Sequence, residues 1–212
     1  MAAGPSFNRQ SDIGNPWRIG CFMPVRTFLA IDLDEAILDR LAAAEADIRD
    51  DRAKMRWVER DNRHITLNFL GDVPDDLLND VCKVAAGAAG EVEAFEFRVR
   101  GVACVPASGR QLRMLWAGVD DPAGRMTKLQ ARLADGLSGL GLRGEERAFK
   151  PHVTLARIRF VKDPGPLRSA AGKFADADFG ARCAEELVAY ASRLTPAGPV
   201  YTPVARARLG KG

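Results

Sequence analysis

Apolar residues in this chain gather in short runs separated by polar stretches rich in Gly and Pro, and the period within each run predicts the elements. Residues 26–33 (RTFLAIDL) read as a strand. Residues 34–50 place Ile37, Leu38, Leu41 and Ile48 on one side of a helix, with Asp34 as its N-cap. Residues 55–59 and 64–70 (HITLNFL) read as two short strands, the second ended by Gly71. Further helices are expected over 75–89, opened by Pro74, and over 122–140. Residues 95–105 and 112–119 form a long hairpin around Pro106-Ala107-Ser108-Gly109. A charged loop with Gly144, Glu145, Glu146 and Arg147 then leads to another strand, 152–160 (HVTLARIRF). Residues 164–179 hold a short helix, and 186–194 and 200–209 close the chain as a hairpin across Pro196-Ala197-Gly198-Pro199. Hairpins are frequent and strands do not alternate strictly with helices, so the fold class is α+β with antiparallel sheets.

Composition narrows the picture. With 47% hydrophobic and 28% charged residues over 212 positions, the chain belongs with ordinary globular proteins of one or two domains. Residues 1–23 lack any period and read as a flexible extension before one domain over 24–209. Lys+Arg exceed Asp+Glu by 3, which excludes a strongly basic nucleic-acid coat. Of those cations 24 are Arg, whose guanidinium forks suit phosphate and carboxylate, although genome base composition produces the same bias. Cys21, Cys82, Cys104 and Cys183 are scattered, as expected of reduced thiols in a cytoplasmic protein, and offer no metal-ligand spacing. No apolar run approaches the ~18 residues of a membrane helix, and no signal peptide is recognisable.

The chemistry lies in an internal repeat. The chain has two histidines, 88 residues apart; His64 opens H-I-T-L and His152 opens H-V-T-L. In a shuffled sequence with the same Thr and Leu content, both would be followed by x-Thr-Leu roughly seven times in a million. Period-two geometry sets His64 and Thr66 on one face with Ile65 and Leu67 on the other, and likewise His152 and Thr154 against Val153 and Leu155. Packing gives no reason to reuse His and Thr together. If the strands meet across a pseudo-twofold cleft, two imidazoles flank one small volume, and imidazoles near pKa 6.5 serve as a base and an acid at neutral pH. The two hydroxyls supply donors for anionic oxygens. This set suits in-line displacement at phosphorus and calls for neither metal nor cofactor.

These residues resemble a known family. The paired H-x-T-L motifs, Arg56-Trp57-Val58, Phe69-Leu70-Gly71, the run from Lys150 through Arg157, and Ser192-Arg193-Leu194 with Tyr201 are similar to the two-histidine (2H) phosphoesterases. Within them the likeness is to the bacterial RNA 2′,3′-cyclic phosphodiesterases, also called 2′-5′ RNA ligases, over about residues 25–209. The resemblance implies a bilobal pseudo-twofold fold of two antiparallel sheets, helices outside and a central cleft. It implies ring opening of an RNA-terminal 2′,3′-cyclic phosphate to a 2′-phosphate by a monomer, with tRNA fragments among the candidate RNAs. It also implies that Phe69 and Tyr201 stack on bases and that Arg157 binds phosphate beside Thr66 and Thr154.

Alternation sets Phe69 and Arg157, each five past its His, on the apolar face. Phe69 therefore either stacks on a base or packs in the core. An unpaired guanidinium is costly to bury, so a bulge near Ala156 is expected to turn Arg157 to the cleft. Trp57 and Trp116 read as core; Arg60 and Arg63 either contact RNA phosphates or sit solvated in their loop. A cation at Arg157 would favour neutral His152, making it the proton acceptor, and uncharged Phe69 leaves His64 as the donor. The alternatives are a non-catalytic RNA-end or nucleotide-binding module, and a phosphodiesterase for 2′-5′ oligonucleotides or small cyclic nucleotides. The absence of G-x-x-x-x-G-K-[ST] argues against ATP-dependent ligation.

Overall fold

A computed structural model describes residues 24–49, 53–142, 148–196 and 198–210; the proposed N-terminal extension and the charged loop at 144–147 lie outside them. The elements run β1 (Val25–Asp32), α1 (Glu35–Ile48), β2 (Lys54–Trp57), a 3-10 turn (Arg60–Asn62), β3 (His64–Val73), α2 (Asp75–Gly90), β4 (Phe95–Val105) and β5 (Met114–Asp120). They continue with α3 (Arg125–Gly139), β6 (His152–Phe160), α4 (Gly165–Gly172), β7 (Asp178–Ala184), β8 (Glu186–Leu194) and β9 (Pro199–Arg208). Asp34 caps α1 as expected, its carboxylate accepting from the Ile37 amide at 2.9 Å. The third helix begins later than expected, because the Asp121 carboxylate accepts from the amides of Arg125, Met126 and Thr127 and so fixes the first turn there. Strand β7 has no counterpart in the sequence reading. Its apolar content is thin, and pairing with β4 from Phe95 to Arg100 defines it.

The strands form an antiparallel sheet in the order β7-β4-β5-β6-β3-β1-β8-β9, with β2 pairing the later part of β6, beyond β3. Read from the middle outward, the order is symmetric: β6 answers β3, β5 answers β1, β4 answers β8 and β7 answers β9. The two halves meet where Ile65 of β3 pairs with Val153 of β6. These are equivalent residues of the two copies, so the pseudo-twofold axis passes between them. The expected two sheets are therefore two halves of one curled sheet, joined on its axis.

One face of the sheet is apolar. Leu29 and Ile31 of β1, Ile65 of β3, Leu115 of β5 and Val153 and Leu155 of β6 are all essentially inaccessible. They share a core with Ile37, Leu41 and Ile48 of α1 and Leu129, Leu133 and Leu137 of α3, and each fully buried aliphatic side chain contributes about 1.5–3 kcal/mol. Helix α1 packs on α4 as α3 packs on α2, and α4 packs on β4 as α2 packs on β8, so the symmetry extends to the helices. Among the described residues the opposite face is left open, and it carries both histidines. Among the described residues no helix is long and apolar enough to cross a membrane.

Candidate active site

The same irregularity occurs in both central strands. Along β3 the register with β1 runs Asp32↔His64, Ile31↔Ile65 and Ala30↔Thr66, then slips to Leu29↔Asn68, leaving Leu67 as a bulge. Along β6 the register with β5 runs Gly118↔His152, Ala117↔Val153 and Trp116↔Thr154, then slips to Leu115↔Ala156, leaving Leu155 as a bulge. Each bulge falls three residues after its His and reverses the alternation beyond it. The burial that results is the same in both copies: half-buried His and Thr, two consecutive buried residues, then an exposed fifth position.

Arg157 accordingly turns to the open face, as the cost of burying it required. So does Phe69, and this corrects the core alternative: its ring is 38% exposed, with the Arg26 guanidinium 4.7 Å from its centroid. A second slip at Leu70, before Gly71 at φ +69°, carries β3 on to Val73 instead of ending it at Gly71.

The imidazoles are held alike. The His64 Nδ1–H donates to the carbonyl of Asn62 at 2.8 Å, and the His152 Nδ1–H to the carbonyl of Lys150 at 2.8 Å, in each case two residues back. With Nδ1 so engaged, Nε2 is the atom through which each ring exchanges protons with the open face. In the first copy Nε2 lies 3.0 Å from the Thr66 hydroxyl. Continuing the Ile65–Val153 register by one residue either way sets His64 opposite Thr154 and Thr66 opposite His152. The four polar side chains thus share one small patch on the axis.

The surroundings of the two rings differ. His64 stacks on Phe28 with centroids 4.7 Å apart and meets the edge of Tyr201 at 5.5 Å, with Tyr190 beyond at 6.4 Å. Asp32, paired across from His64, accepts from the Tyr190 hydroxyl at 2.7 Å and faces the Arg206 guanidinium at 3.3 Å. Burial among the aromatic rings pushes the His64 pKa below its ordinary value. The Asn62 carbonyl and the Asp32 carboxylate oppose that shift, and the charges of Arg157 and His152 add to it. The Arg157 charge therefore acts across the axis on His64.

His152 lies against the indole of Trp116, centroids 4.2 Å apart. Trp116 is not a core residue, contrary to expectation: on β5, Leu115, Ala117 and Val119 are buried and Met114, Trp116 and Gly118 occupy the open side. Strict alternation along β5 would have revealed this. Trp57 does pack against the core.

Tyr201 sits at the edge of His64. Burial raises its phenol pKa, while the charges of Arg157, Arg26 and Arg56 restrain the rise. Arg63 fits neither expectation, while Arg60 stays at the surface. Arg63 is buried beneath α1 in an ion pair with Glu45 and donates to the Val58 carbonyl at 3.2 Å. Arg60 is engaged by Glu35, Asp39 and Asp61. Phe28, Asp32, Tyr190 and Arg26 were not singled out from sequence; of these, Phe28 and Asp32 share a period-two face of β1 that leads directly to His64.

A family model described as LigT like Phosphoesterase matches residues 31–116 and 118–201, each segment holding one H-x-T-L motif. The RNA 2′,3′-cyclic phosphodiesterase of Methanothermobacter thermautotrophicus is 33% identical over 88% of this chain and 100% of that protein. The protein of that name from Methanocaldococcus jannaschii is 29% identical over 84% of this chain and 96% of its own. Among solved structures, TT0787 of Thermus thermophilus superposes with a TM-score of 0.74 at 27% identity, covering 88% of this chain and 98% of that one. LigT of E. coli complexed with 3′-AMP superposes with a TM-score of 0.71 at 26% identity, over 88% and 98%. Two matched segments, full-length relatives and a shared fold agree that this chain belongs to the LigT-like phosphoesterase family.

Proposed function

We propose that the chain opens an RNA-terminal 2′,3′-cyclic phosphate to a 2′-phosphate by two-histidine acid/base chemistry. One observation carries the reading: two imidazoles, each fixed through Nδ1 to the carbonyl two residues back, face one patch from strands that meet on a pseudo-twofold axis. A displacement at phosphorus needs its base and acid on opposite sides, and the axis supplies that arrangement. The names of the full-length relatives favour the same substrate.

In this reading His152 Nε2 accepts a proton from water as the water oxygen bonds to phosphorus. The bond from phosphorus to the 3′ oxygen breaks, and His64 Nε2 gives its proton to that oxygen. The product carries a 2′-phosphate and a 3′-hydroxyl, and proton exchange with solvent resets both rings. The carboxylate of Asp32, opposite His64, favours the imidazolium that the donor role requires, against the effect of burial. Thr66 and Thr154 donate to the non-bridging oxygens, and the Arg157 guanidinium stabilises the charge developing on them. Phe69 and Tyr201 offer ring faces to the terminal base. An RNA 5′-hydroxyl in place of water makes a 2′-5′ linkage by the same displacement.

The test is turnover of an oligoribonucleotide ending in a 2′,3′-cyclic phosphate, in the presence of EDTA, with the product end mapped. The expected product is the 2′-phosphate at an undiminished rate. A 3′-phosphate product would reverse the leaving group. Loss of activity on chelation with rescue by a divalent ion would replace the imidazole mechanism, and binding without turnover would favour the non-catalytic alternative.

A further inference from the structure

Beyond the bulge, β6 continues along the open face, and its neighbours there form a pattern that opening a cyclic phosphate does not use. Arg157 pairs directly across from Arg56 of β2, and Lys54 of β2 pairs across from Phe160. On β2, Met55 and Trp57 pack on the core while Lys54 and Arg56 are exposed, so these two residues share the open side with Arg157. Two guanidiniums on one side of a strand pair suit an anion, to which each offers charge-assisted hydrogen bonds.

The Arg56 guanidinium is also positioned. It lies against the turn between β8 and β9, where a Cβ on Gly198, at φ +149°, would come within 2.6 Å of its Nη2. The absence of a Cβ there leaves room for the guanidinium. Beside this cationic pair Phe160 is 58% exposed. It stands six residues past Thr154, up to about 20 Å along the strand at ~3.3 Å per residue, too far to serve the base held at Phe69.

Resting on the function proposed above, we infer that Arg56, with Lys54 and Phe160, forms a second subsite for single-stranded RNA. It takes the phosphodiester on the 5′ side of the terminal nucleotide and stacks a base further along the chain. Cations tracking a backbone, interleaved with exposed rings, are the means by which single strands are held. The consequence is a preference for oligonucleotides over mononucleotides.

The test compares a hexaribonucleotide ending in a 2′,3′-cyclic phosphate with adenosine 2′,3′-cyclic monophosphate. Arg56→Ala should lower the hexamer-to-mononucleotide ratio of kcat/KM about tenfold, and Arg56→Lys should restore much of it. Phe160→Ala should lower the ratio by a similar factor. The logarithmic salt dependence of hexamer binding should flatten by about 0.7 for the lost phosphate contact. An equal loss on both substrates would place Arg56 at the reacting phosphate, and an unchanged ratio would remove the subsite; either overturns the inference. A second arm measures binding of a fluorescent hexamer ending in a linear 2′-phosphate. If the wild-type protein opens neither ring, the reading under Proposed function has failed, and this arm still decides whether Arg56 and Phe160 hold the strand.

Discussion

The first and second copies of the motif share a backbone device but place their histidines in different surroundings. In both, a bulge three residues past the His turns the fifth position to the open face, and a carbonyl two residues back anchors Nδ1. The first copy encloses its imidazole with Phe28, Tyr190 and Tyr201 beside the Asp32 carboxylate and exposes Phe69. The second lays its imidazole on one indole and exposes Arg157. Duplication thus preserved the geometry that turns both imidazoles to one patch. Divergence acted on what surrounds each ring, which sets its proton affinity.

Removing either imidazole breaks the comparison at its centre and should have the largest effect. His64→Ala and His152→Ala are each expected to cost on the order of 10² to 10⁴ in rate with the fold retained, since both rings lie on the open face. A substrate whose 3′ oxygen is replaced by sulfur separates the two roles, because a thiolate leaves with little acid assistance. It should rescue His64→Ala alone, and rescue of His152→Ala alone would invert the assignment.

A smaller effect is expected at the fifth positions. Arg157→Ala should lower kcat/KM about 10²-fold through lost charge stabilisation at phosphorus. Phe69→Ala should cost about tenfold, mostly in KM, as the loss of a stacking face does. Equal effects on kcat from both would show that the divergence at this position has no functional meaning.

The smallest effect sharpens the electrostatic difference. Because His64 has a depressed pKa, the folded protein resists a proton that the unfolded chain accepts below about pH 6.5. His64 thus contributes most fully to stability above that pH, and the contribution is lost as the pH falls. The His64 ring protons, followed by NMR, should titrate with a midpoint below 6.5, and His152→Asn should raise that midpoint by removing a neighbouring positive charge. A wild-type midpoint at or above 6.5 contradicts the enclosure of His64 by apolar rings.

The residue pattern alone determined that the chain is α+β, that two strands begin with His-x-Thr, and that each shows a polar and an apolar face. Alternation is a local property, and where the strand is regular, as at His64 to Thr66 and His152 to Thr154, it assigns faces without knowledge of the partner strand. The bulge near Ala156 could be inferred because the cost of burying Arg157 is also local. Its twin at Leu67 was not inferred, since a Phe is content on either face and nothing in its own segment demands a slip. Tertiary structure decided the rest. Bulges are set by register against β1 and β5, whose residues flanking each slip lie 36 to 41 positions along the chain from those they pair. The burial of Arg63 depended on Glu45 arriving from α1, and the existence of β7 on an edge offered by β4. Each of these is a contact between segments distant in sequence, and a one-residue slip in any such pairing exchanges the two faces of a strand.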